Sequence, residues 1–459
     1  MLKPAVTNVK NVNKGYLFAM TDRMLDRCFR PFSKFCNLLQ WFTFLLLLGF
    51  WQHATAESSP FDDWELTGFG TLGYAESGKY DDLVLKRNIT QRSKKIEDHG
   101  WLVDSKLGFQ VRKELKPHWD VVGQIVAQEK VSNSIEKSIE MAFLRYQSDE
   151  MWSFQLGRMV LDTFLLSDHR NVGYSYHSVR PQTEFYAWIP YSHYDGMKTI
   201  FEFGDFDSSL RFEAFIGKTK ATVNIGYNDD DTSNNYVKSA PIYGAGVTWE
   251  KDELTLRAYI ARFRFTQNTN AINRLMDTVN NPLVYVPWPE SIEIANDYSI
   301  ENQKVTYSSV GFSWTPGPWL VQGEVSNVTS TFFGSYDGQR AYFQLGHRFG
   351  EFLPHMGYSY SWDERDFPYD PPPPDPQLLG LYALLKDNMS SGLIDQSSMT
   401  VGVRWDFATQ KALKLQCDFA TLDDNSLGIY PTQDTPELGT RNWKKSSRSW
   451  CSTTFDWVF

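Results

Sequence analysis

Basic side chains recur at alternate positions in many short segments of this 459-residue chain. Within each segment they share a polar face, while apolar residues occupy the opposite face. A face of this kind attracts or repels ions and performs no covalent chemistry. Seven basic residues are predicted to line a polar interior: Lys106, Arg112, Lys198, Arg211, Arg257, Arg348 and Arg404.

A second charged group lies in and around the polar connection at 162–190. Its members are predicted to form a constriction: Arg145, Arg158, Asp168, His169, Arg170, His177 and Arg180. With protonated histidines this mixed group has a net positive field, which favours weak anion preference. The alternative is that interior charges only pair across strands and keep the interior wet.

Catalysis and cofactor binding are not expected from the remaining residues. Ser167, Asp168 and His169 are adjacent in one connection, and adjacent residues do not form a catalytic triad. No Cys/His spacing indicates a metal site, and no cofactor is predicted. The net charge of −10 argues against a nucleic-acid partner. An outer-membrane barrel enzyme remains the remote alternative.

Hydrophobicity alternates with a period of two in segments of about ten residues, the pattern of half-buried β-strands. In the segment 101–113, Trp101, Val103 and Leu107 fall on one face, and Asp104 and Lys106 fall on the other. The predicted strands lie near 64–75, 101–113, 119–128, 138–148, 152–161, 191–203, 208–218, 240–250, 253–265, 304–315, 318–327, 340–349, 352–362, 397–407, 411–421 and 448–459.

Short and long connections alternate strictly between these strands. An antiparallel sheet that runs up and down gives this pattern when one side has turns and the other has loops. Aromatic residues make up 15 % of the chain, which suits two lipid–water boundaries. The sequence therefore predicts an all-β fold, a transmembrane antiparallel β-barrel of about 16 strands with short periplasmic turns and long extracellular loops.

The N-terminal region has the features of an export signal. Arg27 and Arg30 precede an apolar run at 38–51, and Ala54 and Ala56 form a small-residue cleavage pattern. We predict a signal peptide at 1–56, with Met20 or Met24 as possible starts, and a barrel domain at 57–459. A retained anchor is the alternative. Cleavage would leave Cys417 and Cys451, both on the outward face of the last two strands, with free thiols favoured over a disulfide.

The terminal "FDWVF", the stretch "AFLRYQSDEMWSFQLGR" (142–158) and the sixteen-strand pattern resemble a Gram-negative outer-membrane porin. The resemblance implies passive diffusion of small hydrophilic solutes or ions, or selective passage of a particular anion or nutrient, as in phosphate-selective porins. It also implies a homotrimer in the outer membrane, in contact with lipid and lipopolysaccharide. The terminal Phe459, together with Trp457, would be read by the barrel-assembly machinery.

The resemblance also implies that the stretch 161–184 enters the lumen and that Arg158 points inward. The stretch lacks the P-E-F-G-G element of enterobacterial general porins. The alternation of side chains along this strand predicts the opposite orientation for Arg158, because Phe154 and Leu156 face outward on the same strand. A β-bulge near Gly157 would reconcile the two.

Overall fold

A computed structural model describes residues 64–78, 83–148, 151–205, 207–224, 234–331, 337–363, 372–390, 394–424, 426, 428–430 and 445–459. The predicted signal peptide lies outside these residues. The described chain forms one closed antiparallel sheet in which each strand pairs with its sequence neighbours and the first pairs with the last. The predicted all-β barrel of sixteen strands is confirmed.

The sixteen strands are β1 (Trp64–Glu76), β2 (Lys106–Lys116), β3 (Trp119–Gln128), β4 (Ile139–Gln147), β5 (Trp152–Val160), β6 (His193–Gly204), β7 (Ser208–Asn224), β8 (Asn234–Lys251), β9 (Leu254–Phe265), β10 (Lys304–Trp314), β11 (Trp319–Ser330), β12 (Gly338–His347), β13 (Phe352–Asp363), β14 (Gln396–Ala408), β15 (Lys411–Leu422) and β16 (Ser446–Val458).

Short helices occupy the long connections. The α-helices are α1 (Ile96–His99), α2 (Ile135–Ser138), α3 (Thr183–Tyr186), α4 (Asn270–Val279), α5 (Pro282–Tyr285), α6 (Glu290–Tyr298) and α7 (Leu379–Ser390). Single 3₁₀ turns cover Ser167–His169, Gly173–Ser175 and Pro376–Leu378. Among the described residues, no helix is long and apolar enough to cross a membrane.

The outer face of the barrel is apolar and the inner face is largely polar. Leu156, Met197 and Ile260 are about half exposed on the outside, as are many other large apolar residues. Aromatic rings gather near the short turns, where the ring of Tyr146 contacts those of Trp119 and Trp152. A closed sheet satisfies its backbone hydrogen bonds internally, and its apolar exterior suits lipid. The chain is an integral β-barrel protein of the outer membrane.

The structure corrects the predicted start of β2. This strand begins at Lys106, and Trp101 and Val103 lie in the preceding turn instead of on the outward face. Val103 is fully buried in a cluster that includes Leu83 and Trp450. The alternation of apolar and polar residues happens to continue into this turn, so the pattern alone could not show where β2 begins.

The structure also corrects the preference for free thiols at Cys417 and Cys451. The register of β15 and β16 places the two residues directly opposite each other, with Cα atoms 4.1 Å apart. The two form a disulfide. Alternation put both side chains on one face, but only the register decides whether they meet.

The seam between β1 and β16 is covered by the chain's last aromatic rings. Phe459 exchanges backbone hydrogen bonds of 2.8 and 2.9 Å with Gly68. A Cβ atom at Gly68 would overlap the ring of Phe459, and one at Gly70 would overlap the ring of Trp457. On the outer face, the rings of Phe459 and Trp457 therefore pack directly on the backbone of Gly68 and Gly70.

The connection after β5 folds into the barrel. We call residues 161–192 the inward segment. It contains α3 and two 3₁₀ turns, and most of its side chains are buried against the inner wall. Its apolar residues pack on an aromatic cluster of that wall, which includes Tyr194, Phe215, Tyr259, Tyr307 and Tyr342.

Candidate pore constriction

Strands β14 to β16 hold one side of the inward segment by hydrogen bonds to its backbone. The ammonium group of Lys414 donates to the carbonyl oxygens of Gly173 and Ser178 at 2.6 and 3.0 Å. The side-chain oxygen of Gln416 accepts from the amide of Val179 at 2.8 Å. The alternation of these strands turns long polar side chains inward, where they fix the path of the segment.

Arg180 anchors the same side through buried ion pairs. Its guanidinium donates to Asp104 at 2.9 and 2.5 Å and reaches Asp418 at 3.4 Å. Although burial alone lowers the pKa of Arg180, the charges of Asp104 and Asp418 raise it overall. The side chain is 2 % exposed, so it cannot meet a passing solute.

Glu184, in α3, is a second anchor and was not predicted. Its carboxylate accepts hydrogen bonds from Ser359 at 2.6 Å, from Gln396 at 2.7 Å and from Ser398. It is almost fully buried. The sequence signal was weak, because a single acidic residue in a long connection is normally solvated.

The opposite side of the inward segment packs on aromatic rings. The ring of Phe164 lies 5.6 Å from the rings of both Phe185 and Tyr307, measured between centroids. The amide of Leu165 donates to Glu324 at 2.8 Å. On this side, burial and a few polar contacts hold the segment.

A network of charges lies where the inward segment leaves β5. Asp162 contacts Arg257 at 2.7 Å and Lys198 at 3.2 Å, and Lys198 also reaches Glu213 at 3.1 Å. Arg211 contacts Glu213 at 3.2 Å. Three of the predicted pore-lining cations thus balance two carboxylates.

Asp168 lies near this network and is exposed to the lumen. Enclosure by the surrounding protein, followed by the neighbouring charge of Asp162, raises the pKa of Asp168 to about 7. Burial raises the pKa of Asp162 in isolation, but Lys198 and Arg257 bring it well below its usual range. The pair therefore holds one negative charge at low pH and two above neutrality.

The two histidines do not supply the positive charge that the sequence suggested. Burial lowers the pKa of His169. Burial, His355 and Lys414 lower the pKa of His177 well below its usual value. The His177 and His355 rings contact each other at 5.0 Å between the inward segment and the wall. Both residues of the inward segment are therefore neutral at physiological pH.

Arg145 and Arg158 are not brought to the inward segment. Arg145 shares Asp120 with Arg112, and the Arg112–Asp120 distance is 2.6 Å. Asp120 is the second residue of β3, so this cluster lies near the short-turn end of the barrel.

The inward placement of Arg158 is wrong. Strand pairing runs through Gly157 without a register shift, so alternation is kept and Arg158 shares the outward face with Leu156. The guanidinium pairs with Asp195 of β6 at 2.7 Å. The family pattern does not apply here because the bulge that it requires is not formed.

The remaining predicted basic residues also have partners. Lys106 donates to the hydroxyl of Tyr176 at 3.0 Å. Arg348 and Arg404 share Asp406, each at 2.8 Å. Arg404 additionally donates to the backbone carbonyl of Tyr174 at 2.7 Å. Little of the charge of Lys106 and Arg404 faces open solvent, whereas the side chain of Arg348 is 44 % exposed.

A cavity of about 170 Å³ lies on the long-loop side, next to the inward segment. It is bounded by the first and second long connections and by the far parts of β7 and β8. Its charged lining residues are Arg87, Lys130, Glu136, Lys137, Glu140, Arg158, Arg170 and Lys220. Of these, sequence reasoning found only Arg158 and Arg170, because most of the others lie in connections where strand alternation gives no information.

The closed barrel, its apolar exterior and the segment folded into its lumen define a sixteen-stranded membrane-spanning β-barrel whose lumen is partly filled. No protein-family model matches the chain, and no curated protein sequence matches it. Three solved structures illustrate what the fold is similar to.

The first is outer-membrane expressed OmpT of Vibrio cholerae, with 12 % identity and a TM-score of 0.46, covering 88 % of this chain and 100 % of that one. The second is Salmonella typhi OmpF in complex with daunomycin, with 12 % identity and a TM-score of 0.49, covering 86 % and 97 %. The third is the outer-membrane channel DcaP of Acinetobacter baumannii, with 13 % identity and a TM-score of 0.47, covering 88 % and 100 %. At these values the similarities carry no statement about function.

Proposed function

We propose that the protein is a channel for the passive diffusion of small hydrophilic solutes across the outer membrane. The observation that carries this proposal is a closed barrel whose inner wall is largely polar and charged and whose lumen is narrowed by the inward segment. Charged side chains at a constriction decide which solutes pass. The inward segment contacts the wall on several sides, which favours a narrow passage over a wide one.

The proposed passage prefers anions. Near the inward segment, the charges of Asp162 and Glu213 are balanced by Lys198, Arg211 and Arg257. The cavity on the long-loop side adds an excess of cations. At short range and in a poorly screened lumen, that excess attracts anions.

Single-channel recording in planar bilayers tests both parts of the proposal. In a tenfold KCl gradient, we expect discrete channel openings and a reversal potential with the sign for chloride preference. The variant Asp168→Asn removes an acidic group and is expected to increase that preference above neutral pH. A reversal potential with the sign for potassium preference would reject the proposed anion selectivity. The complete lack of conductance by correctly folded protein would reject the channel.

Selective passage of one anion is the second form of this proposal, and the narrow lumen favours it. Liposome-swelling rates that fall smoothly with solute size would indicate a general pore. Saturable passage of one anion, with block of the ion current at low concentration, would indicate a selective one.

The proposed assembly is a homotrimer inserted through recognition of Phe459 and Trp457. Phe459 supports the seam directly, since it pairs with Gly68 and its ring contacts Phe109 at 6.0 Å. Stepwise closure of three equal conductances would support three pores. Phe459→Ala is expected to reduce the amount of heat-modifiable barrel in outer-membrane fractions, and unchanged amounts would reject the recognition role.

A further inference from the structure

The cavity beside the inward segment has an unusual balance of charge for an acidic protein. Six of its lining residues are cationic and two are acidic, whereas the whole chain has a net charge of −10. The six cations come from five elements of the chain: Arg87, Lys130, Lys137, Arg158, Arg170 and Lys220. The fold therefore brings positive charge from separate parts of the chain together at this cavity.

Both acidic residues of the lining already have cationic partners. Glu136 contacts Lys220 at 2.6 Å, and Glu140 contacts Lys130 at 2.7 Å. Arg158, at the outer edge of the cavity, is likewise neutralised by Asp195. Three cations are left after this pairing.

These three are Arg87, Lys137 and Arg170, and their hydrogen bonds go to neutral oxygen atoms. Arg87 donates to the side chain of Gln128 at 2.7 Å and to the carbonyl of Val103 at 3.2 Å.

Lys137 donates to Thr222 at 3.1 Å, and Arg170 donates to the carbonyl of Ser192. Within the described part of the chain, none of the three cations makes an ion pair with a carboxylate. Burial lowers the pKa of Arg87 and that of Arg170, and the charge of Glu140, which acts on both without forming an ion pair, only partly offsets this effect.

The uncharged lining is mixed, and the inward segment supplies much of its apolar and aromatic part. Ile189 and Tyr191 are buried in the inward segment, and Tyr186 and Pro190 also face the cavity. The cavity volume of about 170 Å³ is enough to hold several water molecules. A small organic ion fits such a space.

We propose that this cavity binds small organic carboxylates, with the carboxylate between Arg87, Lys137 and Arg170 and the apolar body against the aromatic side. A guanidinium fork matches a carboxylate in geometry and gives charge-assisted hydrogen bonds. An inorganic anion would use the cations but gain nothing from the apolar wall, whereas an aromatic or aliphatic body is removed from water there. The inference rests on the proposed channel only in one respect, namely that the bound carboxylate is a solute that crosses the membrane through the barrel.

Isothermal titration calorimetry of the full protein in detergent tests the site without any requirement for conductance. Benzoate is the probe, benzyl alcohol is its uncharged analogue, and inorganic phosphate is the anion without an apolar body. We expect benzoate to bind at least about tenfold more tightly than either, because benzyl alcohol lacks the charge-assisted hydrogen bonds and phosphate gains nothing from the apolar wall. Equal affinity for phosphate, or no binding of benzoate, would overturn the proposal.

Charge-removing variants locate the site. Arg87→Gln and Arg170→Gln are each expected to weaken benzoate binding about tenfold or more, and Arg87→Lys is expected to restore part of the loss. Lys116→Gln is the matched control, because it removes one positive charge at the short-turn end, near Trp119. Equal weakening by the control would show a nonspecific field effect and would reject the site. If one glutamine variant does not fold, as judged by heat-modifiability, the other decides the outcome.

Calorimetry and bilayer recording together distinguish the proposed binding site from the proposed channel. Benzoate binding by a protein that does not conduct would keep the site and reject the channel. Conductance with no saturable benzoate binding would keep the channel and reject the site.

Discussion

The two sides of the lumen hold the same inward segment in different ways. On the side of β14 to β16 and the turn before β2, long polar side chains reach individual backbone and side-chain atoms of the segment, as Lys414, Gln416 and Asp104 do. On the side of β6 to β12, aromatic rings such as Tyr259 and Tyr307 form a surface on which the segment's own rings pack.

The polar side fixes where the inward segment lies, whereas the aromatic side mainly supplies buried contact area. A hydrogen bond or ion pair is directional, so the polar side determines where each residue of the segment lies. Apolar packing is not directional and depends mainly on area and fit, so the rings of the aromatic side mainly supply attachment. The directional contacts on that side include those near the start of the segment, at Asp162 and Leu165. Variants on the two sides should therefore differ in their effect on the pore even where their effects on stability are similar.

The largest effect is expected from Arg180→Met on the polar side. The substitution leaves Asp104 and Asp418 buried without their cation, which costs about 3–5 kcal/mol in the free energy of unfolding. The segment should also lose its position, so that single-channel conductance rises and becomes noisier. Thermal unfolding in detergent and bilayer recording measure the two effects.

The double variant Asp104→Asn/Arg180→Met is the control for this experiment. It removes one of the orphaned charges, so part of the lost stability should return. An unchanged conductance in Arg180→Met would contradict the assignment of position to the polar side.

Phe164→Ala on the aromatic side is expected to have the next largest effect. We expect a loss of about 3 kcal/mol, the low end for such a truncation, because Phe185 and Tyr307 can close part of the space. The conductance should change little, since the polar anchors stay in place. A rise in conductance as large as that of Arg180→Met would show that the aromatic side also fixes the position of the inward segment.

Glu184→Gln should have a smaller effect on stability. The amide keeps the shape of the carboxylate but replaces one acceptor oxygen with a donor, opposite Ser359, Gln396 or Ser398. A mismatch of this kind costs about 1–3 kcal/mol. Denaturant titration followed by tryptophan fluorescence measures it, and Glu136→Gln, at an exposed position, is the matched control. Equal losses of unfolding free energy in both variants would show that Glu184 does not anchor the inward segment.

The smallest effect is a pH dependence that originates at Asp168. Its pKa of about 7 lies above the ordinary value of 3.8, so the folded protein binds the proton more tightly than the unfolded chain. The stability contributed by this residue is present below about pH 4 and is lost as pH rises toward 7. Over the neutral range the lumen gains one negative charge per chain, so chloride preference should fall from pH 6 to pH 8.

Reversal potentials measured at several pH values check this expectation. Asp168→Asn should abolish the change between pH 6 and pH 8, while His169→Gln should not, because burial lowers the pKa of His169 from its ordinary value. If the change persists in Asp168→Asn, its source lies elsewhere.

The fold could be predicted from local information because a transmembrane strand is a local pattern. Segments such as 119–128 and 411–421 alternate cleanly, and the structure places strands there with the same or nearly the same bounds. The start of β2 was misplaced because Trp101 and Val103 continue the alternation inside a turn. Alternation also placed Cys417 and Cys451 correctly on one face, yet their pairing depended on register.

The candidate site was predictable only where its residues lie on strands. Lys198 and Arg257 turn inward by alternation. Arg87 and Lys137 lie in long connections, whose path depends on tertiary contacts that no period in the sequence records. Arg158 shows the reverse case, in which a resemblance to other barrels outweighed the alternation that the chain obeys.

The inward segment has one more consequence for the barrel as a whole. Because one continuous piece of chain is attached to opposite walls, it braces the cylinder across its width. A barrel of sixteen strands with an unfilled lumen can flatten under lateral pressure from the bilayer, whereas a braced one resists this deformation. The width of the passage and the roundness of the barrel are therefore mechanically coupled, and the passage can widen only if the brace first detaches from one wall.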